Sequence, residues 1–283
     1  MELSRPARPV HLSVSIVLHN SPQALLRRAL HSLYRSAQVA GEAGYLSRVS
    51  VDVVDNTADR NYRERIAPTL DEWSQPGFFQ VKYSALPVNR GFGPGHNSAM
   101  ASLDSDFHLV LNPDAELQDD TLGIGLSCMT GDASIVLLSP KVLGSSGEQE
   151  FLCKRYPSVL ALLLRGFAPR FIRRLFRKRL DYYEMRDVCA GDQPVDVVLA
   201  SGCFMLVPTP ALRAIGGFND SYFLYFEDFD LSLRLASRGR LVFNPAMQIV
   251  HHGGYAASKG MQHVRYFVHS GITFFNQHGW RWI

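Results

Sequence analysis

Cysteine is sparse and scattered. Cys128, Cys153, Cys189 and Cys203 form no CxxC pair, which excludes a locally built zinc cage or dithiol motif and makes reduced thiols the expectation. A strong charge of one sign is also missing: Lys and Arg number 29 against 26 Asp and Glu, a formal charge of +3, which argues against a dedicated nucleic-acid binder. No apolar run approaches the roughly 20 residues of a membrane-spanning helix, the longest being stretches such as Val159 to Leu164. The opening MELSRPARPVHLSVS places two prolines before its first apolar run and lacks the charged-then-apolar order of an export leader. These absences predict a cytoplasmic protein, in solution or peripheral on the inner face of the cytoplasmic membrane. What is present is a 46% hydrophobic content over 283 residues, enough for a well-buried α/β domain.

The first half alternates short β-branched runs with helical patterns, the mark of βαβ units and a mainly parallel sheet. Leu12–Leu18, Val49–Asp55, Phe78–Tyr83, Phe107–Asn112 and Ile135–Ser139 read as strands. Pro22–Ser36, Tyr62–Trp73 and Gly95–Ser102 read as helices. The pattern loosens from Gly144 to Asp192 and looks like an insertion. Strand character returns over Val195–Val207, followed by a helix near Asp228–Ser237, strands near Leu241–Asn244 and Gln248–His251, and a final helix. A single two-part domain fits, with nucleotide recognition early and the reaction machinery late.

Open parallel sheets bind ligands beyond the carboxyl ends of their strands, so polar residues at those ends carry the functional signal. In VDVVDNTAD, Asp55 closes a strand and can either accept the N3–H of a pyrimidine base or make an Asx turn. The glycines of NRGFGPGHN, Asn89 to Asn97, let backbone amides approach a diphosphate or simply form a flexible turn. This is no dinucleotide fingerprint, because the first strand-to-helix turn reads HNSPQ. In LVLNPDAEL, Asn112, Asp114 and Glu116 offer oxygen ligands to a hard divalent cation or form a solvated proline turn. His251 and His252, ending QIVHH, are the candidate imidazole partners.

The segment GGFNDSYFLYFEDFDLSLRLASRG sets Phe223, Tyr225 and Phe226 beside Glu227 and Asp228 at a helix start. Desolvation there raises the basicity of a carboxylate; the alternative is acids that only complement the helix dipole. A second cluster lies in RGFAPRFIRRLFRKRL, Arg165 to Leu180, where Arg170, Arg173, Arg174, Arg177 and Lys178 recur at helical spacing opposite Phe171, Ile172, Leu175 and Phe176. It reads either as a solvated cationic helix lying on the core or as a helix resting on an anionic membrane surface.

Taken in order, VSIVLHN, VVDNTAD, NRGFGPGHN, LNPDAEL, ASGCFMLVPTPALRAIGGFND, YFLYFEDFDLSLRLASRG and IVHHGG resemble the successive motifs of the inverting glycosyltransferase family 2, within its bacterial rhamnosyltransferase-like branch. The resemblance covers most of the chain and implies an α/β, Rossmann-like GT-A fold. It implies Asp228 as catalytic base with Glu227 beside it, and Asp55, Asn89, Gly91, Phe92, Asn97, Asn112 and Gly202 on the nucleotide sugar. It further implies Asp114 and His251 on a divalent cation, Mg²⁺ or Mn²⁺. Where GT-A enzymes usually carry Asp-x-Asp, this chain reads Asn112-Pro113-Asp114, a variant that the rhamnosyltransferase-like branch shares. On this reading residues 1–143 bind the nucleotide sugar, 144–194 are a basic insertion and 195–283 form the acceptor and catalytic half.

The implied donor is dTDP-L-rhamnose, and the implied acceptor a lipopolysaccharide or other surface glycan, or its lipid-linked precursor. A catalytically silent nucleotide-sugar-binding protein is the alternative, and the Glu227-Asp228 pair speaks against it. An oxidoreductase lacks its early glycine fingerprint here. A glycoside hydrolase needs an acid opposite a base or nucleophile, whereas a sugar nucleotide already carries a good leaving group and needs one base.

Overall fold

In β1 (Val10–Leu18), Leu12, Val14, Ile16 and Leu18 are fully buried on one face. They share a core with Leu26, Leu30, Leu33 and Ala37, the apolar stripe of α1 (Gln23–Glu42). The computed structural model describes residues 6–73, 77–100, 103–253 and 260–283. The alternation continues through β2 (Leu46–Asp55), α2 (Arg60–Asp71), β3 (Phe79–Ala85), α3 (Phe92–Met100) and β4 (Phe107–Leu111). α2 starts where the Asp59 carboxylate accepts the N–H of Asn61. These strands lie in the order β3-β2-β1-β4, all parallel. The chain leaves β1 to one side and returns to the other, so a crevice opens beyond the carboxyl ends of β1 and β4.

The chain continues through β5 (Ala115–Leu117), α4 (Thr121–Gly131), β6 (Ile135–Gly144) and β7 (Gln149–Glu150). Four helices follow: α5 (Val159–Phe167), α6 (Arg170–Leu175), α7 (Arg177–Tyr183) and α8 (Arg186–Cys189). Then come β8 (Val195–Asp196), β9 (Phe204–Pro208), α9 (Thr209–Ala214), α10 (Glu227–Ala236), β10 (Arg240–His251) and α11 (Met261–His278). β9 runs antiparallel to both β4 and β6, β10 is parallel to β6, and β5 is antiparallel to β10. The sheet is therefore parallel in its first half and mixed in its second. The fold is α/β, a central sheet flanked by helices.

Several boundaries differ from the sequence expectation. The strand run over 195–207 is two strands, β8 and β9. The two late strands are one, β10, whose register shifts between Asn244 and Gln248, where Pro245 offers no ladder N–H. The helix expected from Gly95 starts at Phe92, and residues 101–102 lie outside the described residues. The basic helix is broken at Phe176 into α6 and α7, and its apolar side does not lie on the core: Phe171 is 73% and Leu175 81% exposed. Among the described residues no helix is long and apolar enough to cross a membrane.

The second face of β1 is polar yet buried. Ser13 and Ser15 join a line of hydrogen bonds running Thr209–Ser105–Ser13–His108–Ser15–His96, with contacts of 2.6–2.9 Å. Burial pushes the His108 imidazole down to about 3 and that of His96 well below its ordinary value, so both rings are neutral links that tie α3 to the sheet.

Candidate active site

Three groups of residues meet beyond the strand ends. The first surrounds a cleft of about 330 Å³ whose lining includes His19, Asn56, Asn89, Gly91, Phe92 and Tyr266. Asn56 builds its floor: its amide donates to the Gly91 carbonyl at 2.8 Å while its oxygen accepts the Arg90 N–H at 2.8 Å. Asn89 accepts the Gly91 N–H at 3.0 Å and approaches His19 at 3.3 Å. Gly91 has φ +96°, and a Cβ there would lie 2.2 Å from the Phe223 carbonyl oxygen. Only glycine lets the loop pass this close to the segment before α10, where the Phe92 N–H donates to that same oxygen at 2.9 Å.

Asp55 stands at the end of β2 but is fully buried. One oxygen accepts the Thr57 N–H at 2.8 Å, the Asx turn that the sequence left open, and the other accepts the Tyr83 hydroxyl at 2.7 Å. Asn97 is committed elsewhere. Its amide donates to the Phe218 carbonyl at 2.8 Å and to Asp220 at 3.0 Å, and its oxygen accepts the Phe218 N–H at 2.9 Å. It therefore clamps α3 to the glycine turn before α10.

The second group is the acidic pair. Tyr225 and Phe226 both take left-handed backbone conformations, φ +70° and +66°, a strain of roughly 1–3 kcal/mol each. Rings hold this turn in place: Phe226 packs against Phe267 at 5.2 Å and Phe274 at 5.4 Å, and Tyr225 against Phe267 at 5.7 Å. The turn delivers Glu227 and Asp228 as the first residues of α10 into a cavity of about 200 Å³. Asp228 accepts the Gly202 N–H at 3.1 Å and the Phe229 N–H at 2.9 Å. Burial pushes its carboxyl up to about 6, with those amide contacts pulling the other way. Glu227 is more deeply buried, one of its oxygens has no hydrogen-bond partner, and burial followed by the charge of Asp228 raises it well above the usual range. Of the two, Asp228 is the carboxyl that two backbone amides orient into the cavity, and Glu227 the one that burial and its neighbour's charge raise further. Gly202 links this cavity to the cleft, since a Cβ there would meet the Phe92 ring at 2.9 Å.

The third group is the candidate metal corner. The His251 Nε2 lies 3.4 Å from an Asp114 oxygen and 3.4 Å from the Asn112 amide. Its Nδ1 lies 3.4 Å from Glu150. Burial lowers the imidazole pKa, but the Asp114 and Glu150 carboxylates outweigh burial and the net shift is upward. His252 instead pairs with Glu116 at 2.6 Å, so the structure brings His251, not His252, to Asp114. Two ligands of one ion at ~2.1 Å each stand about 3 Å apart, so Asp114 and His251 fit one cation. Among the described residues no three His, Cys, Asp or Glu side chains converge on one.

Asn56, His19, Glu150, Lys154 and Tyr183 were not legible as site residues. Asn56 had a signal, since it follows Asp55 at the strand end. Lys154 lies in the loop after β7 and Tyr183 ends α7 just past the basic stretch, and neither stands at the end of an apolar strand that would have marked it.

The sequence profile of glycosyl transferase family 2 matches residues 13–195, more than half of the chain, and the protein belongs to that family. Among curated relatives, the N-acetylglucosaminyl-diphospho-decaprenol L-rhamnosyltransferase of Mycobacterium tuberculosis is 25% identical over 195 residues, 63% of this chain and 61% of the relative. Rhamnosyltransferase WbbL of Escherichia coli strain K12 is 26% identical over 174 residues, 57% of this chain and 61% of the relative. The match thus spans about three fifths of either relative's length.

Two solved structures share the fold. The mannosyltransferase PcManGT of Pyrobaculum calidifontis, in complex with GDP-Man and Mn²⁺, superposes with a TM-score of 0.62 at 14% identity, covering 96% of this chain and 66% of that one. GalNAc-T7 with UDP, GalNAc and Mn²⁺ gives 0.60 at 15% identity, covering 87% and 43%. The fold is GT-A.

Proposed function

We propose that this protein is an inverting rhamnosyltransferase that moves L-rhamnose from dTDP-L-rhamnose to a hydroxyl of a lipid-linked precursor of lipopolysaccharide or another surface glycan. The observation that carries the reading is Asp228, a carboxylate raised to about 6 and aimed by the Gly202 amide into a cavity one ring away from the glycine loop. Such a group is ionised at pH 7 and basic enough to take the acceptor proton as the new bond forms. The donor already carries its leaving group, so no second catalytic acid is needed. Attack from the side opposite the diphosphate inverts the anomeric carbon.

In this reading Asn89, Gly91 and Phe92 line the donor cleft, and Asn56 and Asn97 hold that wall in shape. Asp55 serves the base, which reaches it alongside or in place of Tyr83. Asp114 and His251, with Asn112 beside them, would hold the divalent cation, which when bound neutralises the departing diphosphate. The exposed apolar and basic residues of α6 and α7 support a position on an anionic membrane surface, where a lipid-linked acceptor resides. The rhamnosyl assignment rests on the two rhamnosyltransferase relatives. Nucleoside diphosphate release from a panel of sugar nucleotides tests it. dTDP-rhamnose turns over at least tenfold faster than UDP-GlcNAc or GDP-mannose if the reading holds, and a preference for either of those overturns it.

A further inference from the structure

The catalytic cavity does not end at the acidic pair. Leu162 of α5, Phe226 and Phe267 of α11 line it, and the same three residues line a second, almost wholly apolar groove between α5 and α11. Gly271 and Phe275 form the floor of that groove, and Leu163, Phe167, Val268 and Ile272 its rim, each of the last four about half exposed. Its volume is about 140 Å³, small beside the roughly 300–1,000 Å³ of compact small-molecule pockets. A hydrocarbon chain laid along a narrow apolar groove is the ligand shape that suits it. Water gains nothing from such a surface, because almost no polar atom faces it.

The junction of groove and cavity is cationic. Lys154 and Arg165 both line the catalytic cavity, and with Arg186 they share a single carboxylate, Glu184, at 3.7, 3.5 and 2.7 Å. Arg186 also reaches Asp181 at 3.3 Å, so Lys154 and Arg165, which line the cavity and share Glu184, are the cations left to face the opening. The Tyr183 hydroxyl, also in the cavity lining, is 4% exposed and has no hydrogen-bond partner. A buried hydroxyl left unpaired costs on the order of 1–3 kcal/mol unless a ligand satisfies it.

We infer that the α5–α11 groove takes the hydrocarbon chain of a phosphorylated lipid acceptor, with Lys154, Arg165 and Tyr183 receiving its phosphate and Asp228 facing the sugar hydroxyl beyond. The inference rests on the transferase reading for the identity of that last group, but its binding geometry stands apart from turnover. The order apolar groove, cationic junction, carboxylate base matches an amphiphile read from tail to head. A protein partner or a second copy would have no use for a groove that opens into the base.

Trp280 lines the groove and reports its occupancy by fluorescence. The probes are farnesyl phosphate below its aggregation concentration, farnesol and inorganic phosphate, all in EDTA so that Asp114 and His251 contribute no metal-held phosphate. Farnesyl phosphate should bind at least tenfold more tightly than inorganic phosphate. Ile272→Glu, a change at the exposed rim, should remove that advantage while dTDP binding and far-UV circular dichroism stay as in the wild type. Arg165→Gln should weaken farnesyl phosphate and leave farnesol unchanged. Equal affinity for farnesyl phosphate and inorganic phosphate overturns the inference, and so does an Ile272→Glu variant that binds lipid normally. Loss of a dimer in Ile272→Glu without any change in lipid binding gives the groove to a second copy and also overturns it. Failure of sugar transfer from any donor would sink the transferase reading and leave these binding results standing.

Discussion

The Gly202 N–H points at Asp228 over 3.1 Å, so the loop entering β9 orients the carboxylate that begins α10. A second amide, that of Phe229, holds its other oxygen. The two contacts fix the carboxylate's plane without lowering it to the ordinary range, because burial dominates and leaves it near 6. A carboxylate held this way is oriented in advance of any ligand.

That arrangement costs stability, and the cost depends on pH. The folded pKa of Asp228 lies above its unfolded value near 3.9, so the protonated form favours folding and its contribution is lost as pH rises through about 6. Asp228→Asn, which removes the charge and one of the two N–H acceptors, should therefore gain stability relative to the wild type by on the order of 1–3 kcal/mol between pH 4 and pH 8. Urea denaturation of both proteins at the two pH values measures this. A stability difference between the two proteins that does not change with pH would show that the buried charge is not a burden.

The metal corner separates two adjacent histidines. Because His251 faces Asp114 while His252 pairs with Glu116, His251→Ala and Asp114→Ala should each weaken Mn²⁺ binding in the presence of dTDP by tenfold or more. His252→Ala should change it less than threefold. Mn²⁺ electron paramagnetic resonance titration reads this without turnover, and full transfer activity after exhaustive chelation would contradict a metal role.

The split basic segment makes a further prediction. Phe171 and Leu175 are exposed beside Arg170, Arg173, Arg174 and Arg177, and each basic residue near an anionic surface contributes about 1 kcal/mol. The protein should pellet with phosphatidylglycerol-rich vesicles at low salt and be released at high salt. Replacing Arg173, Arg174 and Arg177 with Gln should abolish pelleting, and Phe171→Ser with Leu175→Ser should weaken it. No pelleting at low salt would reject the membrane contact.

Much of the fold was legible because β1 and β2 alternate apolar with polar residues, β4 and β10 carry short apolar runs and α1 and α10 a clear apolar stripe, which burial enforces directly. The polar ends of those strands, Asp55, Asn112 and His251, were legible for the same reason: they stop the pattern. What periodicity could not show was commitment. Asn97 looks like a ligand in NRGFGPGHN, yet its amide clamps Phe218 and Asp220, 121 and 123 residues away. The continuity of β10 through Pro245 is set by its pairing with β6 on both sides of that residue, which local sequence does not encode. Lys154 and Tyr183 come together with Asp228 only through the crossing of α7 and the loop after β7.

Transfer by Asp228→Asn tests the account most directly, because the amide keeps the volume and can still accept one of the two backbone N–H bonds but cannot take a proton. Sugar transfer from dTDP-rhamnose to a lipid-linked acceptor is measured beside dTDP-rhamnose binding by calorimetry. The account predicts a fall in kcat of at least ~10²-fold with donor Kd changed less than threefold. Transfer at the wild-type rate by the Asn variant would contradict it.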